Sequence, residues 1–285
     1  MDTSIIILNY NDAERTASLV KTLKSYPSLD HIIVVDNCST DGSFGILSSL
    51  KDQVTTVIRT KANRGYANGN NTGIVYALKN FSSDILFIAN PDVAFEEKTL
   101  LAMIKALKEN PDMGVVAPVV DQGYNFWNLP GFIGILESLF LVWFNLDKKL
   151  IRQDILSRAG DLCPVGVVEG SFFAISAKSY KAARGFDERT FLYAEEIILA
   201  KRLLEQGYSE AVLKNERYDH LHSASIKKAY SSSKAKAFPN FKKSFRIYNK
   251  YYLHTGSFQD AVFDICYELG LLERKLFDIV HHMLP

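Results

Sequence analysis

An apolar strand and a polar tip meet in residues 85–92, which read Ile85-Leu86-Phe87-Ile88-Ala89-Asn90-Pro91-Asp92. Five apolar residues in succession are typical of a strand that is buried on both faces, as in a parallel sheet covered by helices. The stretch therefore predicts a central strand that presents the carboxylate of Asp92 at the rim of an α/β sheet.

Short apolar runs alternate with helical patterns on both sides of this stretch. The alternation predicts an α/β fold with a mostly parallel central sheet flanked by helices, because parallel strands need a crossover helix between them. Helices are expected at residues 74–79, 99–108 and 194–206, and Gly207 is expected to end the last of these. The expected strands are 4–8, 31–36, 54–59, 85–89, 115–118 and 167–176.

The composition excludes several classes of protein. The 285 residues include 33 Lys and Arg against 32 Asp and Glu, so no overall field of one sign favours nucleic acid as a partner. Three separated cysteines suit a reducing compartment. The apolar run near the N-terminus is too short for a signal peptide, and we expect a cytoplasmic protein. Residues 131–146 are too few to span a membrane and predict a core or interfacial helix.

Polar residues follow three of the predicted strands, where ligands of open α/β sheets bind. Asn9 and Asn11 follow the first strand, Asp36 and Asn37 the second, and Asn90 the fourth. We expect these tips to converge on one cleft, where Asp36 accepts hydrogen bonds from a ligand. A simpler alternative is that Asp36 only caps the turn after it.

Residues 63–73 combine glycines with side-chain amides, among them Asn63, Gly65 and Asn70. We interpret them as a loop ahead of a helix at 74–79, where backbone can approach a ligand closely and free N–H groups suit phosphate. The segment is neither a Walker loop nor a G-x-G-x-x-G motif. An ordinary Gly/Asn turn is the alternative.

Two groups of ionisable residues suggest chemistry. Asp92 can hold a divalent cation, Mg²⁺ or Mn²⁺, that bridges to diphosphate, with His220 or His222 as a further ligand. Glu195 and Glu196 open a helix after Tyr193, and one of them can take a proton from an acceptor hydroxyl. The alternative for His220 and His222 is that each is a packed or surface imidazole without a metal. The alternative for Glu195 and Glu196 is that they only interact favourably with the helix dipole in the first turn.

The ordered motifs resemble glycosyltransferase family 2, especially its bacterial rhamnosyltransferase-like members that build surface polysaccharides. The resemblance runs from Ser4 to about Ser225. It is carried by seven blocks: Asn9-Tyr10-Asn11; Val35-Asp36-Asn37 with Ser39-Thr40-Asp41-Gly42; Asn63-Arg64-Gly65-Tyr66-Ala67 with Gly69-Asn70-Asn71; Asn90-Pro91-Asp92; Glu169-Gly170-Ser171-Phe172; Gly185-Phe186-Asp187-Glu188; and Phe191-Leu192-Tyr193-Ala194-Glu195-Glu196.

The resemblance implies a GT-A fold and an inverting, metal-assisted transfer from a nucleoside-diphosphate sugar, UDP- or TDP-linked. It implies that Asp36 contacts the base, Asp92 binds the metal with His220, and Glu196 is the general base where relatives have Asp. Asn9, Asn11, Asn37, Asn63, Gly65, Asn70 and Asn90 then belong to the donor side, and Gly170, Tyr193 and His222 to the acceptor side. The implied catalytic domain is 1–225, with a nucleotide-sugar half at 1–120 and an acceptor half at 121–225.

The last part of the chain, residues 226–285, is expected to form a helical extension. Residues 226–250 hold eight Lys or Arg and no acid, interleaved with aromatic residues. This mixture suits anionic headgroups on the inner face of the plasma membrane, next to a saccharide or lipid-linked acceptor. A solvated basic face is the alternative, and the residues from Ile265 onward are candidates for homo-oligomer contacts.

Two rival functions are weighed on particular residues. A sugar-phosphate nucleotidyltransferase needs a glycine-rich loop after the first strand, and residues 9–14 contain no glycine. A catalytically silent homologue that binds a nucleotide sugar or a partner is suggested by Glu196, and by Ile198, which replaces an acid common in relatives.

Overall fold

The computed structural model describes residues 2–220 and 234–283. Within them the main sheet has nine strands, which are numbered in chain order with the ranges given at the end of this paragraph. Eight of them lie side by side in the order β3-β2-β1-β4-β10-β6-β11-β5, and β8 pairs with β11. β10 runs antiparallel to both of its neighbours, β4 and β6, whereas the pairs β2–β3, β1–β2 and β1–β4 are parallel. The strands are β1 Thr3–Asn9, β2 His31–Asp36, β3 Thr55–Arg59, β4 Ile85–Ala89, β5 Val93–Ala94, β6 Met113–Val120, β8 Leu162–Val165, β10 Phe172–Ser176 and β11 Ser209–His220, with β7 Phe126–Trp127 and β9 Val167–Val168 forming a small antiparallel pair.

Helices cover both faces of the sheet, as the predicted α/β class requires. They are α1 Ala13–Leu23, α2 Ser43–Ser48, α3 Tyr66–Asn80, α4 Glu97–Glu109, α5 Phe132–Ser138, α6 Leu141–Ser157, α7 Ala177–Ala182, α8 Glu195–Glu205, α9 Lys234–Tyr252 and α10 Ser257–Met283. Helices α1, α2 and α4 pack on one face, and α3, α7 and α8 on the other. Within the described ranges, no helix is both long and apolar enough to cross a bilayer.

The register of the parallel strands aligns their carboxyl ends. Asn9 at the end of β1 pairs with Asp36 at the end of β2, while Ile7 pairs with Ala89 at the end of β4. The strands stay together because their side chains are almost completely buried between the two helical layers. One rim of the sheet therefore collects the three polar tips predicted from the sequence.

The helical extension packs on the main domain through a third apolar cluster. Ile197 and Ile198 of α8 contact a layer that includes Phe245 and Tyr248 of α9 and Phe263 of α10. The aromatic residues predicted to face lipid are thus largely buried here. The boundary proposed at residue 225 lies outside the described residues.

Three predictions about local structure are wrong. α3 begins at Tyr66 rather than residue 74, so Asn70 lies within a helix and not in a loop. The strand expected at 167–176 is interrupted, because β9 ends at Val168 and β10 begins at Phe172. Residues 131–146, predicted as one core or interfacial helix, instead divide between α5 and α6, and the exposed Trp143 excludes the core alternative alone.

Two other predictions are confirmed closely. β2 and β4 have the predicted bounds, because each has an apolar run that stops at a polar residue, at Asp36 for β2 and just before Asn90 for β4. Gly207 follows α8 with a φ of 80°, a left-handed conformation that favours glycine.

Candidate active site

Asp36 lies at the centre of the donor-side rim and is completely buried. Its Oδ1 accepts a hydrogen bond from Nδ2 of Asn9 at 3.0 Å, and its Oδ2 accepts one from the backbone of Ser39 at 3.1 Å. The guanidinium of Arg59 completes the set, with Nε 3.1 Å from Oδ2. A buried carboxylate needs such partners, and here they tie the ends of β1, β2 and β3 together.

Asn9 and Asn11 are also used within the protein. The side-chain oxygen of Asn9 accepts from Thr16 at 2.9 Å, so both ends of its amide are paired. Asn11 has a φ of 54° and its Oδ1 accepts from the backbone of Thr40 at 2.8 Å. These contacts fix the loops around the rim, a role that the sequence analysis did not assign to them.

Asn37, Asn63 and Gly65 form the next part of the rim. Nδ2 of Asn37 donates to Oδ1 of Asn63 at 3.0 Å and to the carbonyl of Gly65 at 3.2 Å. Gly65 has a φ of 92°, and an added Cβ would overlap the backbone of Phe191. Only glycine fits this close approach, through which the donor side meets the segment before α8.

The amides of α3 connect the two halves of the domain. Asn71 donates to the carbonyl of Phe186 at 3.0 Å and accepts from the hydroxyl of Tyr180 at 2.7 Å. Asn70 is fully buried; its Nδ2 donates to the carbonyl of Tyr66 at 3.1 Å, while its Oδ1 has no hydrogen-bond partner among the described residues. Asn71 is thus a structural residue.

Asp92 and His220 come together from distant parts of the sequence. His220 is the last residue of β11 and pairs with Val93 of β5, which brings its Nε2 to 3.4 Å from Oδ1 of Asp92. Burial alone would raise the pKa of Asp92, but the hydrogen bond and charge of His220 outweigh it and lower that pKa. The carboxylate is therefore kept ionised. His222 lies outside the described residues.

The two side chains suit a divalent cation only in part. A carboxylate is the ligand that Mg²⁺ and Mn²⁺ prefer, and an imidazole can add a nitrogen ligand. Among residues 2–220 and 234–283, no group of three or more His, Cys, Asp or Glu forms a complete metal cluster. Asp92 and His220 could therefore supply two ligands of a cation, and the rest of its coordination would have to come from groups outside this pair.

Strained backbone presents the two adjacent glutamates. Tyr193 and Ala194 have φ values of 72° and 64°, in the left-handed region that residues other than glycine rarely adopt. α8 begins immediately afterwards, with Glu195 and Glu196 in its first turn. The sharp entry lets the helix start directly at the rim.

The side chains of the two glutamates differ in their surroundings. Glu195 is buried, and no residue in the described part of the chain gives its Oε2 a hydrogen bond. Glu196 is half-buried, and its Oε1 accepts from the backbone N–H of Gly170 at 3.3 Å. Burial raises the pKa of both carboxyls, and their mutual repulsion adds to the effect on Glu195. Glu196 is the better placed of the two to exchange a proton.

Tyr66 and Glu169 belong to the site although neither was among the predicted site residues. The hydroxyl of Tyr66 donates to the carbonyl of Gly170 at 2.5 Å, which links the start of α3 to the backbone that holds Glu196. The charge of Glu169 acts on both Glu196 and His220. Both residues lie in the sequence blocks quoted above, and their position in those blocks was the signal that could have identified them.

A backbone hydrogen bond connects the Asp92 tip to the segment beside the glutamates. The N–H of Asn90 donates to the carbonyl of Ser171 at 2.8 Å. Asn90 lies two residues before Asp92, and Ser171 directly follows Gly170, whose N–H contacts Glu196. This bond therefore holds Asp92 and Gly170 near each other.

Asp36 joins the same rim through its neighbour in the chain. Asn37 donates to the carbonyl of Gly65, and the next residue, Tyr66, reaches the carbonyl of Gly170. A continuous set of contacts thus runs from the ends of β1 and β2 to the start of α8. The structure gathers Asp36, Asp92 and Glu196 at one edge of the sheet.

The chain matches the model of glycosyl transferase family 2 over residues 4–180. It is 28% identical over 192 residues to an N-acetylglucosaminyl-diphospho-decaprenol L-rhamnosyltransferase of Mycobacterium tuberculosis, a match that covers 62% of each chain. It is 22% identical over 278 residues to the low-salt glycan biosynthesis hexosyltransferase Agl10 of Haloferax volcanii, covering 97% of this chain and 85% of that protein.

Solved structures share the architecture. The mannosyltransferase PcManGT from Pyrobaculum calidifontis, solved in complex with GDP-Man and Mn²⁺, superimposes with a TM-score of 0.61 at 15% identity, covering 99% of this chain and 75% of that one. Residues 1–349 of S. aureus TarS give a TM-score of 0.51, also at 15% identity, covering 96% of this chain and 71% of that one. The predicted GT-A fold is confirmed.

Proposed function

The chain belongs to glycosyl transferase family 2, and from this premise we propose that it moves one sugar from a nucleoside-diphosphate donor to a hydroxyl of a glycan acceptor. The observation that carries the proposal is the rim shared by two groups. One is the Asp92–His220 pair, with 3.4 Å between Oδ1 and Nε2, and the other is Glu196, held by the N–H of Gly170. A cation-binding pair and a proton acceptor around one cleft are what such a transfer needs.

In the proposed reaction Glu196 acts as the general base. Its carboxylate takes the proton of the acceptor hydroxyl while that oxygen forms a bond to the anomeric carbon of the donor sugar. The bond from that carbon to the diphosphate oxygen breaks, and the nucleoside diphosphate leaves with the electron pair. A single displacement of this kind inverts the anomeric configuration, by analogy with inverting glycoside hydrolases.

Asp92 and His220 are the proposed ligands of Mg²⁺ or Mn²⁺. When bound, the cation would neutralise charge on the departing diphosphate. The residues themselves favour this role, because the pKa of Asp92 is lowered and the carboxylate is ready to bind without losing a proton first. Asn90 lies between β4 and Asp92 and helps to hold the tip through its hydrogen bond to Ser171.

The donor nucleotide is proposed to lie against the rim built by Asp36, Asn37 and Gly65. Asp36 already accepts three internal contacts, so a direct contact with the base would use a remaining lone pair or displace the half-exposed side chain of Arg59. Hydrogen bonds within the protein hold this surface in place, and they involve the side-chain amides of Asn9, Asn11, Asn63 and Asn70. UDP- and TDP-linked sugars are the first donors to test.

The acceptor is proposed to enter on the side of Gly170 and Tyr193, and to be a saccharide or a lipid-linked saccharide in bacterial surface polysaccharide synthesis. Val142 and Trp143 of α6 are 69% and 58% exposed, which suits contact with the inner face of the plasma membrane by a cytoplasmic enzyme. Binding of the native protein to phosphatidylglycerol vesicles, compared with a Trp143→Ser variant, tests this contact. Equal binding by both would count against α6 as the contact.

A second candidate function is a silent homologue that binds a nucleotide sugar without transferring it. Ile198 motivated it, because related enzymes often have an acid there. In this chain Ile198 is fully buried in the apolar cluster between α8 and the C-terminal helices. An acid at that position would be costly to bury, so here Ile198 serves packing.

The test of the proposal is release of nucleoside diphosphate from a panel of UDP-, TDP- and GDP-sugars, with and without Mn²⁺ or Mg²⁺. We expect cation-dependent release with at least one donor, increased by an acceptor. Asp92→Asn should abolish release, whereas Asp219→Asn, at the exposed position before His220, should not. Donor binding without release under any condition would favour the silent homologue.

A further inference from the structure

α10 carries a continuous row of exposed apolar side chains. Phe258, Ile265, Leu269, Leu272, Leu276 and Ile279 are each between 52% and 82% exposed, and Val262 is half-buried. Successive members of this row, which we call the α10 seam, are four and three residues apart in turn. That spacing is the a/d pattern of a coiled coil and extends over three heptads.

The opposite face of α10 is anchored to the rest of the molecule. Phe263 and Tyr267 are buried in the third apolar cluster, and the buried side chain of Arg274 donates to the carbonyl of Leu139. α10 is therefore already formed and oriented in a single subunit. Binding of a partner helix would therefore not have to offset the cost of forming the helix. That cost makes short isolated coiled coils unstable.

We propose that the α10 seam binds the α10 seam of a second copy of this chain, with the two helices antiparallel about a two-fold axis. In that arrangement the layers pair Leu269 with Leu272 of the partner subunit, and Ile265 with Leu276 of the partner subunit. The axis passes between residues 270 and 271. The inference rests on α10 alone and is independent of the proposed transfer reaction.

Charged residues along the edges of the seam favour a second copy of α10 as the partner, and they favour an antiparallel orientation of the two helices. Glu268 and Lys275 occupy g positions, and antiparallel helices bring Glu268 next to Lys275 of the partner subunit twice, by symmetry. A parallel pair would instead place Glu268 next to Glu273 of the partner subunit, two like charges. The side chain of Glu268 is 63% exposed, although it also contacts Lys242 at 3.0 Å.

An anionic membrane is the less suitable occupant of the same surface. α10 contains five acidic residues and two of Lys or Arg, and anionic headgroups attract the opposite balance. Two cations of α9, Lys242 and Arg246, pair with Asp264 at 3.5 Å and 2.6 Å, which weakens their attraction for such headgroups. Charge therefore favours a second subunit over a lipid surface.

Sedimentation velocity of the native chain at increasing concentration tests the proposal. We expect a monomer–dimer equilibrium that Lys275→Glu weakens at least about tenfold, because it places like charges together. The double variant Glu268→Lys with Lys275→Glu should recover most of the lost affinity, since the reciprocal pairs between subunits are rebuilt and only the contact of Glu268 with Lys242 within each subunit is lost. Dimerisation that is unaffected by the single charge reversal would overturn the antiparallel arrangement.

A seam variant separates the interface from general effects of charge. Leu272→Glu should give a folded monomer, whereas the control Val75→Glu, at an equally exposed position on α3, should keep the dimer. Donor turnover by the monomer can be measured in parallel, so loss of dimer and loss of activity remain distinguishable. A native chain that stays monomeric at all attainable concentrations would overturn the proposal, as would a monomer that binds phosphatidylglycerol vesicles through Leu272.

Discussion

The donor-side rim and the start of α8 are both polar and buried, but they treat their polar groups in opposite ways. Around Asp36 each carboxylate oxygen has a partner, from Asn9 on one side and from Ser39 and Arg59 on the other. At the start of α8, Oε2 of Glu195 has no hydrogen-bond partner within residues 2–220 and 234–283, and burial raises the pKa of Glu196. The polar contacts of the first region therefore compensate for the burial of its carboxylate, whereas those of the second region compensate only in part for the burial of its two carboxyls.

This contrast separates residues that hold the site from residues that react in it. A buried carboxylate with a full set of partners holds together the elements that supply them. A carboxyl with a raised pKa costs stability when ionised but is suited to accepting a proton near neutral pH. Substitutions in the two regions should therefore affect different measurements.

Between these two regions, the largest expected effect is that of Glu196→Gln on turnover. Removing the proposed base should lower kcat by about 10²–10⁴-fold, with little change in the free energy of unfolding. The assay is release of nucleoside diphosphate with a saturating donor and acceptor. Glu205→Gln is the matched control, because Glu205 lies at the other end of the same helix and is 52% exposed beside Lys201. Native turnover by Glu196→Gln would remove that residue from the mechanism.

Asp36→Ala should produce the next largest effect, and on stability. Deletion of this carboxylate leaves Asn9 and the N–H of Ser39 without their acceptor, so we expect a loss of about 2–3 kcal/mol in the free energy of unfolding, measured by urea denaturation. This expected loss is smaller than for a fully buried ion pair, because solvent screens the partly exposed side chain of Arg59. Glu109→Ala, at an exposed site, should leave the urea midpoint unchanged. An unchanged midpoint for Asp36→Ala as well would contradict the structural role.

Gly170→Ala tests how closely the two regions are joined. A Cβ there would lie 2.7 Å from the hydroxyl of Tyr66 and 3.1 Å from Oε1 of Glu196. We expect kcat to fall about tenfold, because the base would be displaced by a fraction of an ångström. Gly131→Ala, with no atoms within 4 Å of the added Cβ, is the control. Equal activity of the two variants would show that Glu196 is not held by this contact.

The smallest expected effect concerns Glu195 and pH. Because its folded pKa is raised above the unfolded value, ionising Glu195 opposes folding, so this residue destabilises the protein as pH rises above the ordinary carboxyl range. The melting temperature of Glu195→Gln, relative to that of the native chain, should therefore rise by on the order of 2–4 °C between pH 5 and pH 8. Parallel melting curves for the two proteins across that range would mean that Glu195 is not the source.

The sequence predicted the parts of the fold that depend on short-range pattern. The apolar runs of β2 and β4 stop at Asp36 and just before Asn90, so the bounds of both strands could be identified. α3 could not, because its first turns contain glycine and asparagine, which disfavour helices. These residues are helical because Gly69 and Gly73 let α3 pack closely on Leu8 and Ile6 of β1.

The candidate site divides in the same way. Asp92 and His220 were grouped from residue type, and the antiparallel contact of β11 with β5 brings them together. The assignment of Asn9 and Asn37 to the donor side stays a prediction, and the structure adds that their side-chain amides hold neighbouring loops. Residue type indicates that an amide needs hydrogen bonds, but only the fold shows whether protein or ligand provides them.

Binding of Mn²⁺ by isothermal titration, in the presence of a nucleoside diphosphate, tests the central claim that Asp92 and His220 form the cation site of this cleft. We predict one cation per chain for the native protein and for the control Asp219→Asn, weaker binding for His220→Gln, and no measurable binding for Asp92→Asn. Native affinity in the Asp92→Asn variant would contradict the account.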